Sequence, residues 1–305
     1  MKIGTFNIET IEKVSEIEKY LKPYSSLMNY RQLFMSKEWI QSYCSVYKPN
    51  KMVFVYNNNT KDYMLFEKQG NTMCCLGDPL NDFNLYGVWD ADRLEEWLNI
   101  IEQTKKSEKE RVLLNCITTP LCNHSFDTMS LGLMTDLTTS YELQISPKLK
   151  RLQRKYDASI QYERINAQSP LFSQLLDQLL FGRKVVLIEK APKDNAFSLD
   201  ERFATLIKML CSQPTMQKCV FIDYGKFNGI IVSIGLYFHR NNCALYYLRW
   251  CLHSSNSVSY GLLQDLWSIR QCALDGYLIV DFSRGDEPYK YRLGLNEYKL
   301  YSYVI

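Results

Sequence analysis

Asp281-Phe-Ser-Arg284-Gly285-Asp286-Glu287-Pro288-Tyr289-Lys290-Tyr-Arg292-Leu-Gly294 follows a short apolar run, Tyr277-Leu-Ile-Val280. The apolar run reads as a buried strand. Six charged side chains then fall within twelve residues: Asp281, Arg284, Asp286, Glu287, Lys290 and Arg292. Gly285 and Pro288 mark a turn among them. In open α/β sheets, ligand sites gather just past the carboxyl end of a buried strand. A solvated turn held by local ion pairs has the same composition, so charge density alone leaves both readings open.

Outward from this stretch, Tyr260–Leu274 reads as a helix and Tyr298–Val304 as a final strand. Upstream lies a hairpin series: strands over Lys218–Tyr224, Ile230–His239 and Cys243–Cys251, joined by turns at Gly225–Gly229 and Arg240-Asn-Asn242. Turns this short make the strands antiparallel neighbours. Further back are helices over Ser198–Ser212 and Ser169–Phe181 and a strand over Ala158–Ile165. Ser198 is the expected N-cap, with Glu201 at capping-box spacing. Lys148–Tyr156 is a short basic helix with a stripe of Leu149, Leu152 and Tyr156, and five positive charges on the rest. These charges suit a solvated face or a phosphate-bearing ligand. Ser146-Pro147 breaks the pattern ahead of it, because the residue before proline avoids the helical region. The sequence therefore divides into domains 1–145 and 146–305.

The first domain reads as mixed strands with a few helices. Strands are expected at Lys2–Ile8, Lys51–Tyr56, Tyr63–Lys68, Thr72–Leu76, Val112–Ile117 and Tyr141–Ile145. Helices are expected at Thr10–Leu21, from Ser36 to about Tyr47, and at Asp90–Glu102. Both halves are thus α/β, α+β in style, each around a mixed sheet.

Composition is that of an ordinary globular protein, 46% hydrophobic and 23% charged, and 305 residues suffice for two cores. A net charge of +3 gives no reason to expect DNA. Ten cysteines show no Cys-x2-Cys pair, and three histidines add little, so no metal site is expected. Most cysteines sit in apolar segments, which suits packing in a reducing compartment. The N-terminus lacks signal-peptide character and no run of about 18 apolar residues occurs. A cytoplasmic protein is the expectation.

The element order of the second half resembles the GNAT acyltransferase fold. The stretch Asp281-Phe-x-Arg284-Gly285-Asp286-Glu287-Pro-Tyr289-Lys290-Tyr-Arg292 resembles the C-terminal motif of the CelD-like acetyltransferases, a GNAT group linked to cellulose and exopolysaccharide synthesis. Phe34-Met-Ser-Lys-Glu38-Trp39-Ile is similar to that family's Ser-x-Glu-Trp helix start, and the basic helix to its Leu-Arg-Arg segment. More remotely, Tyr289-Lys290-Tyr-Arg-Leu293-Gly294 is similar to a Lys-bearing segment of the FemABX peptidyl transferases, which carry two GNAT-like domains. The resemblance implies two GNAT-like domains in tandem, the N-terminal one degenerate.

It further implies direct acyl transfer from a thioester, acyl-CoA or acyl carrier protein, to an amine or hydroxyl of a sugar or small metabolite. No permanently bound cofactor is implied. CoA-using GNAT enzymes carry a Gln/Arg-x-x-Gly-x-Gly/Ala loop before the central helix. Here the loop is His253-Ser-Ser-Asn-Ser257-Val-Ser259-Tyr260-Gly261, with a single glycine. Ser257, Ser259, Tyr260 and Gly261 are its candidate pyrophosphate contacts at a helix N-terminus. The missing glycines leave aminoacyl-tRNA open as donor, and leave open a pair of domains that only binds. A monomer or weak dimer is expected.

Acyl transfer needs a base, an oxyanion partner and a proton for the leaving group. Asp286 and Glu287 are candidate bases, unless ion pairs with Arg284 or Lys290 occupy them. Lys290 suits a phosphate or oxyanion. Arg284 can grip a carboxylate or phosphate, or pair with Asp281. Tyr289 can donate the proton. Arg249, inside the apolar strand Tyr246-Tyr-Leu-Arg249-Trp250, must be paired or face a cleft. His253 beside Ser254 and Ser255 is too local for a triad, and Cys251 and Cys272 read as packing.

Overall fold

The computed structural model describes residues 2–78, 80–81, 91–103, 105, 110–118, 126–137, 145–156, 159–190, 199–252 and 259–304. The chain divides into two compact units, Met1–Leu131 with Lys299–Ile305, and Gly132–Tyr298. Ser146-Pro147 lies within the second unit, where Pro147 opens a helix.

In the first unit, β1 (Lys2–Ile3), β2 (Phe6–Ile11), β3 (Met52–Asn57), β4 (Tyr63–Gln69), β5 (Thr72–Cys75) and β6 (Arg111–Ile117) follow one another in the sheet. All pairs are antiparallel except β5 with β6, and the end of β13 (Asn296–Val304) pairs with β6 through Tyr301, Tyr303 and Val304. Helices α1 (Lys37–Tyr47) and α2 (Ala91–Glu102) bury Trp39 and Trp97 completely. Ser36 caps α1 as expected, its Oγ accepting from the Trp39 amide. The helix expected at Thr10–Leu21 does not form. Its first residues extend β2, whose register runs to Ile11, and the rest makes 3₁₀ turns at Val14–Glu16 and Glu18–Tyr20. Ile11, Ile17 and Leu21 are buried all the same. Their spacing reported burial rather than helix.

The second unit is built on a mixed sheet in the order β7 (Phe126–Asp136), β12 (Ile279–Arg284), β11 (Cys243–Cys251), β10 (Ile230–Arg240), β9 (Val220–Phe227), β8 (Ile160–Asn166). This is the α/β, mixed-sheet class expected. The β10–β11 turn places Asn241 and Asn242 at φ 49° and 58°, the left-handed pair a two-residue hairpin requires. Of the registers described within this unit, that of β11 with β12 is the parallel one. The helices are α3 (Pro147–Tyr156), α4 (Phe172–Lys190), α5 (Glu201–Ser212), α6 (Tyr260–Leu274) and α7 (Pro288–Arg292). The α5 cap is Asp200, which accepts from the Arg202 amide. Ser198, the expected cap, lies outside the described residues, as does the strand start at Tyr141.

Helices α4 and α6 cover opposite faces of β11. A Cβ on Gly182 of α4 would stand 2.3 Å from Trp250 Nε1, and one on Gly261 of α6 would stand 3.0 Å from Cys251 Sγ. Neighbouring residues of a strand point to opposite faces. The charged stretch, expected as a turn, contains the helix α7 over Pro288–Arg292. The helix forms because Pro288 sits at N1, where its missing N–H costs nothing.

Candidate functional site

Strands β11 and β12 share register at three pairs, Cys243 with Ile279, Ala244 with Val280 and Leu245 with Asp281. Beyond these, β11 continues to Cys251 and β12 to Arg284. The carboxyl ends of this parallel pair therefore part, and the opening is lined from three elements. Tyr246 and Phe282 meet edge to face at 4.5 Å. Arg249 of β11 lays its guanidinium over the Tyr289 ring of α7 at 4.1 Å. Beneath them, Asp265 of α6 is fully buried. One of its oxygens accepts from Tyr246 Oη at 2.9 Å and the other is gripped by Arg249 Nη1.

Burial pushes the Asp265 carboxyl up, and the Arg249 guanidinium works against that. Burial also works against the charge on Arg249, but Asp265 holds it protonated. Removing either partner of such a pair costs about 3–5 kcal/mol, because a buried charge is left alone. The pair fixes a guanidinium at the mouth of the opening, with its side chain still 25% exposed. The Tyr289 hydroxyl has no hydrogen-bond partner among the described residues. Burial raises its pKa, only partly offset by Arg249, so it keeps its proton throughout the neutral range. A fixed cation and a retained phenolic proton thus share one opening.

The charged stretch behind this opening is a locked frame. Asp281 is fully buried and its Oδ1 accepts from the Ser283 amide at 2.7 Å and from Tyr298 Oη at 2.8 Å. These bonds hold an irregularity in β12, where Ser283 adopts φ 60° and the register shifts between Asp281 and Arg284. Lys290 is 2% exposed. Its Nζ donates to the carbonyls of Phe282 at 3.0 Å and of Arg284 and Gly285 at 2.9 Å, and stands 3.0 Å from Glu287 Oε2. Every ammonium proton has a protein acceptor. Gly285, at φ 103°, leaves no room for a Cβ beside Glu287. Arg284 is partly buried and bonded, whereas Asp286 is exposed and has no partner among the described residues.

The structure therefore brings Arg249, Tyr289 and the Asp281–Lys290 frame together around one opening. At its rim, Ser259 is the N-cap of α6 without a side-chain cap bond, and Tyr260 is buried. Gly261 lies 3.5 Å, by its ideal Cβ, from Arg249 Cζ, so its lack of a side chain admits the guanidinium. Ser257 lies outside the described residues, as does His253. Asp265 and Tyr246 were not singled out from sequence. The criterion that found Arg249 finds Asp265 as well: a charge among Leu262, Leu263 and Leu266 must be partnered.

A second buried carboxylate lies further along the same helix–sheet interface. Asp223 of β9 is fully buried and takes a bidentate grip from Arg164 Nε and Nη2, both at 2.7 Å. Gln264 Nε2 donates to the Asp223 carbonyl at 2.7 Å.

No family model and no curated protein matches this sequence. Its fold is similar to that of several solved structures. FemX aligns over 97% of this chain and 97% of its own, with a TM-score of 0.57 at 9% identity. A conserved protein of unknown function from Bacteroides thetaiotaomicron aligns over 98% and 99%, with a TM-score of 0.57 at 12% identity. L-PGS from Bacillus licheniformis aligns over 87% and 90%, with a TM-score of 0.53 at 12% identity. The likeness extends over both units and is one of fold. It agrees with the fold expected from the more remote resemblance, to FemABX, whereas the CelD-like assignment of the motif has no counterpart among these structures.

Proposed function

We propose that the chain is an acyl- or aminoacyltransferase whose reaction centre is the opening between β11 and β12. The observation that carries this is the pairing of a fixed guanidinium, Arg249 on Asp265, with the unpartnered, protonated hydroxyl of Tyr289. In this reading the acceptor's amine or hydroxyl attacks the donor carbonyl. Arg249 steadies the negative charge that develops on the carbonyl oxygen. Tyr289 gives its proton to the departing thiolate or ribose oxygen. Asp286, exposed and unpaired, takes the proton that the acceptor loses. Glu287 and Lys290 hold the frame, and Asp281 and Arg284 belong to it.

The start of α6 supports one class of donor. The amides of Tyr260, Gly261 and Leu262 have no acceptor among the described residues, which suits a pyrophosphate. This favours acyl-CoA, or the phosphopantetheine of an acyl carrier protein. A different observation favours aminoacyl-tRNA. The five cations of α3, namely Lys148, Lys150, Arg151, Arg154 and Lys155, have no carboxylate partner among the described residues. The FemX fold supports the same reading.

The purified chain, offered a panel of acyl-CoAs and a charged tRNA pool with mixed amino-sugar and amine acceptors, separates the donors. Thiol release with acceptor acylation supports the first, and transfer of a labelled amino acid supports the second. Neither product from any pairing would leave the reading of a binding protein without catalysis.

A further inference from the structure

We infer that the second unit carries another ligand site, at the far end of α6 from the reaction centre, built for a small planar acid. A concavity of about 380 Å³ opens there, within the range usual for small-molecule sites. Its floor is aromatic. Phe221 of β9 is 4% exposed, and around it stand His239 of β10, with ring centroids 5.6 Å apart, and Tyr277, at 6.1 Å. His239 and Tyr277 meet edge to face at 5.5 Å. The Arg164 guanidinium lies over Phe221 at 3.9 Å. Tyr237 stacks on Phe221 at 4.8 Å, so Phe221 backs the wall, and the half-buried rings of His239 and Tyr277 are what a flat ring can pack against.

The polar lining is what an acid needs. Lys218 at the rim is exposed and has no carboxylate partner among the described residues. The Gln217 amide and the Tyr277 hydroxyl likewise have no partner there. The charge of Arg164 is taken up by Asp223 and Asp275, so Lys218 supplies the uncompensated positive charge. Arg164 contributes its face rather than its charge. This site shares no side chain with the β11–β12 opening and stands whether or not the chain is a transferase.

The test is fluorine NMR of 4-fluorobenzoate titrated with the whole chain, with 4-fluorobenzamide and acetate in parallel. Saturable broadening of the benzoate with a Kd on the order of 1 mM is expected for a probe of this size. The benzamide, which lacks the charge, should bind at least fivefold more weakly, and acetate should not displace the benzoate. Lys218→Glu lies on the surface and leaves the core intact. It should weaken the benzoate at least tenfold, and Lys218→Gln should abolish the preference for acid over amide. No saturation, equal binding of acid and amide, or unchanged affinity in both variants would overturn the site.

Discussion

Lys290 shows how a cation in a charged stretch can be wholly taken up by the chain's own backbone. Its ammonium closes on the carbonyls of Phe282, Arg284 and Gly285 and on the Glu287 carboxylate. In sequence it stands among charges and reads as a free cation. Nothing in the residue order reveals that a helix over Pro288–Arg292 turns it inward. Lys290→Met should cost about 3 kcal/mol, because three carbonyls lose a charged donor. Urea unfolding measures this, and a loss under 1 kcal/mol would mean that the frame holds without it.

His239 carries the residue-scale pH dependence. Burial, with Arg164 nearby, holds its imidazole down to about 4. The unfolded chain takes up a proton near the ordinary value of 6.5, and the folded unit resists it until about 4. Stability is therefore full above about pH 6.5 and is lost as pH falls toward 4, by about 2–3 kcal/mol. Urea midpoints between pH 7 and 4 should flatten in His239→Gln relative to wild type. Parallel curves for the two would rule His239 out as the source.

At the scale of elements, most of the second unit was legible. Strand Cys243–Cys251 and helix Tyr260–Leu274 form over the residues expected, because period and turn signals agree there. Elsewhere packing overrode local pattern. Thr10–Leu21 has helical spacing, yet its first part joins β2 in register with β3. Helix α4 runs on to Lys190, past the expected stop at Phe181, through apolar residues that are not confined to one face. The frame stretch was not legible as a helix, since Pro288 signals a turn and a helix start equally. Helix α3 was legible in full, and its stripe residue Leu149 is buried. Its cations make a prediction at this scale. If they meet a polyanion, bulk tRNA binding should fall steeply with salt. Replacing Lys148, Arg151 and Lys155 by Gln should then lower the slope of log K against log salt by about 2–3. Salt-independent binding, or an unchanged slope, would make α3 a solvated face.

At the scale of the molecule, the chain shares its fold with FemX along its whole length, although neither half announces an internal repeat in sequence. Among the described residues no helix is long and apolar enough to cross a membrane, and no cluster of His, Cys, Asp and Glu could hold a metal ion. What the sequence left hidden is the pairing of buried charges. Asp265 meets Arg249 and Asp223 meets Arg164 across 16 and 59 positions, distances at which no local pattern operates. Those pairs hold the buried charges of the second unit in place across its helix–sheet interface.

The measurement that bears most directly on this account is the steady-state rate of transfer, with whichever donor proves active, in wild type, Tyr289→Phe and Asp265→Asn. Loss of the hydroxyl should lower kcat by 10²- to 10⁴-fold with donor KM within about threefold of wild type, as expected for a lost proton donor. Loss of the Asp265 charge frees Arg249 and should lower kcat/KM as well. A Tyr289→Phe enzyme that turns over at the wild-type rate would place the chemistry elsewhere and contradict the account.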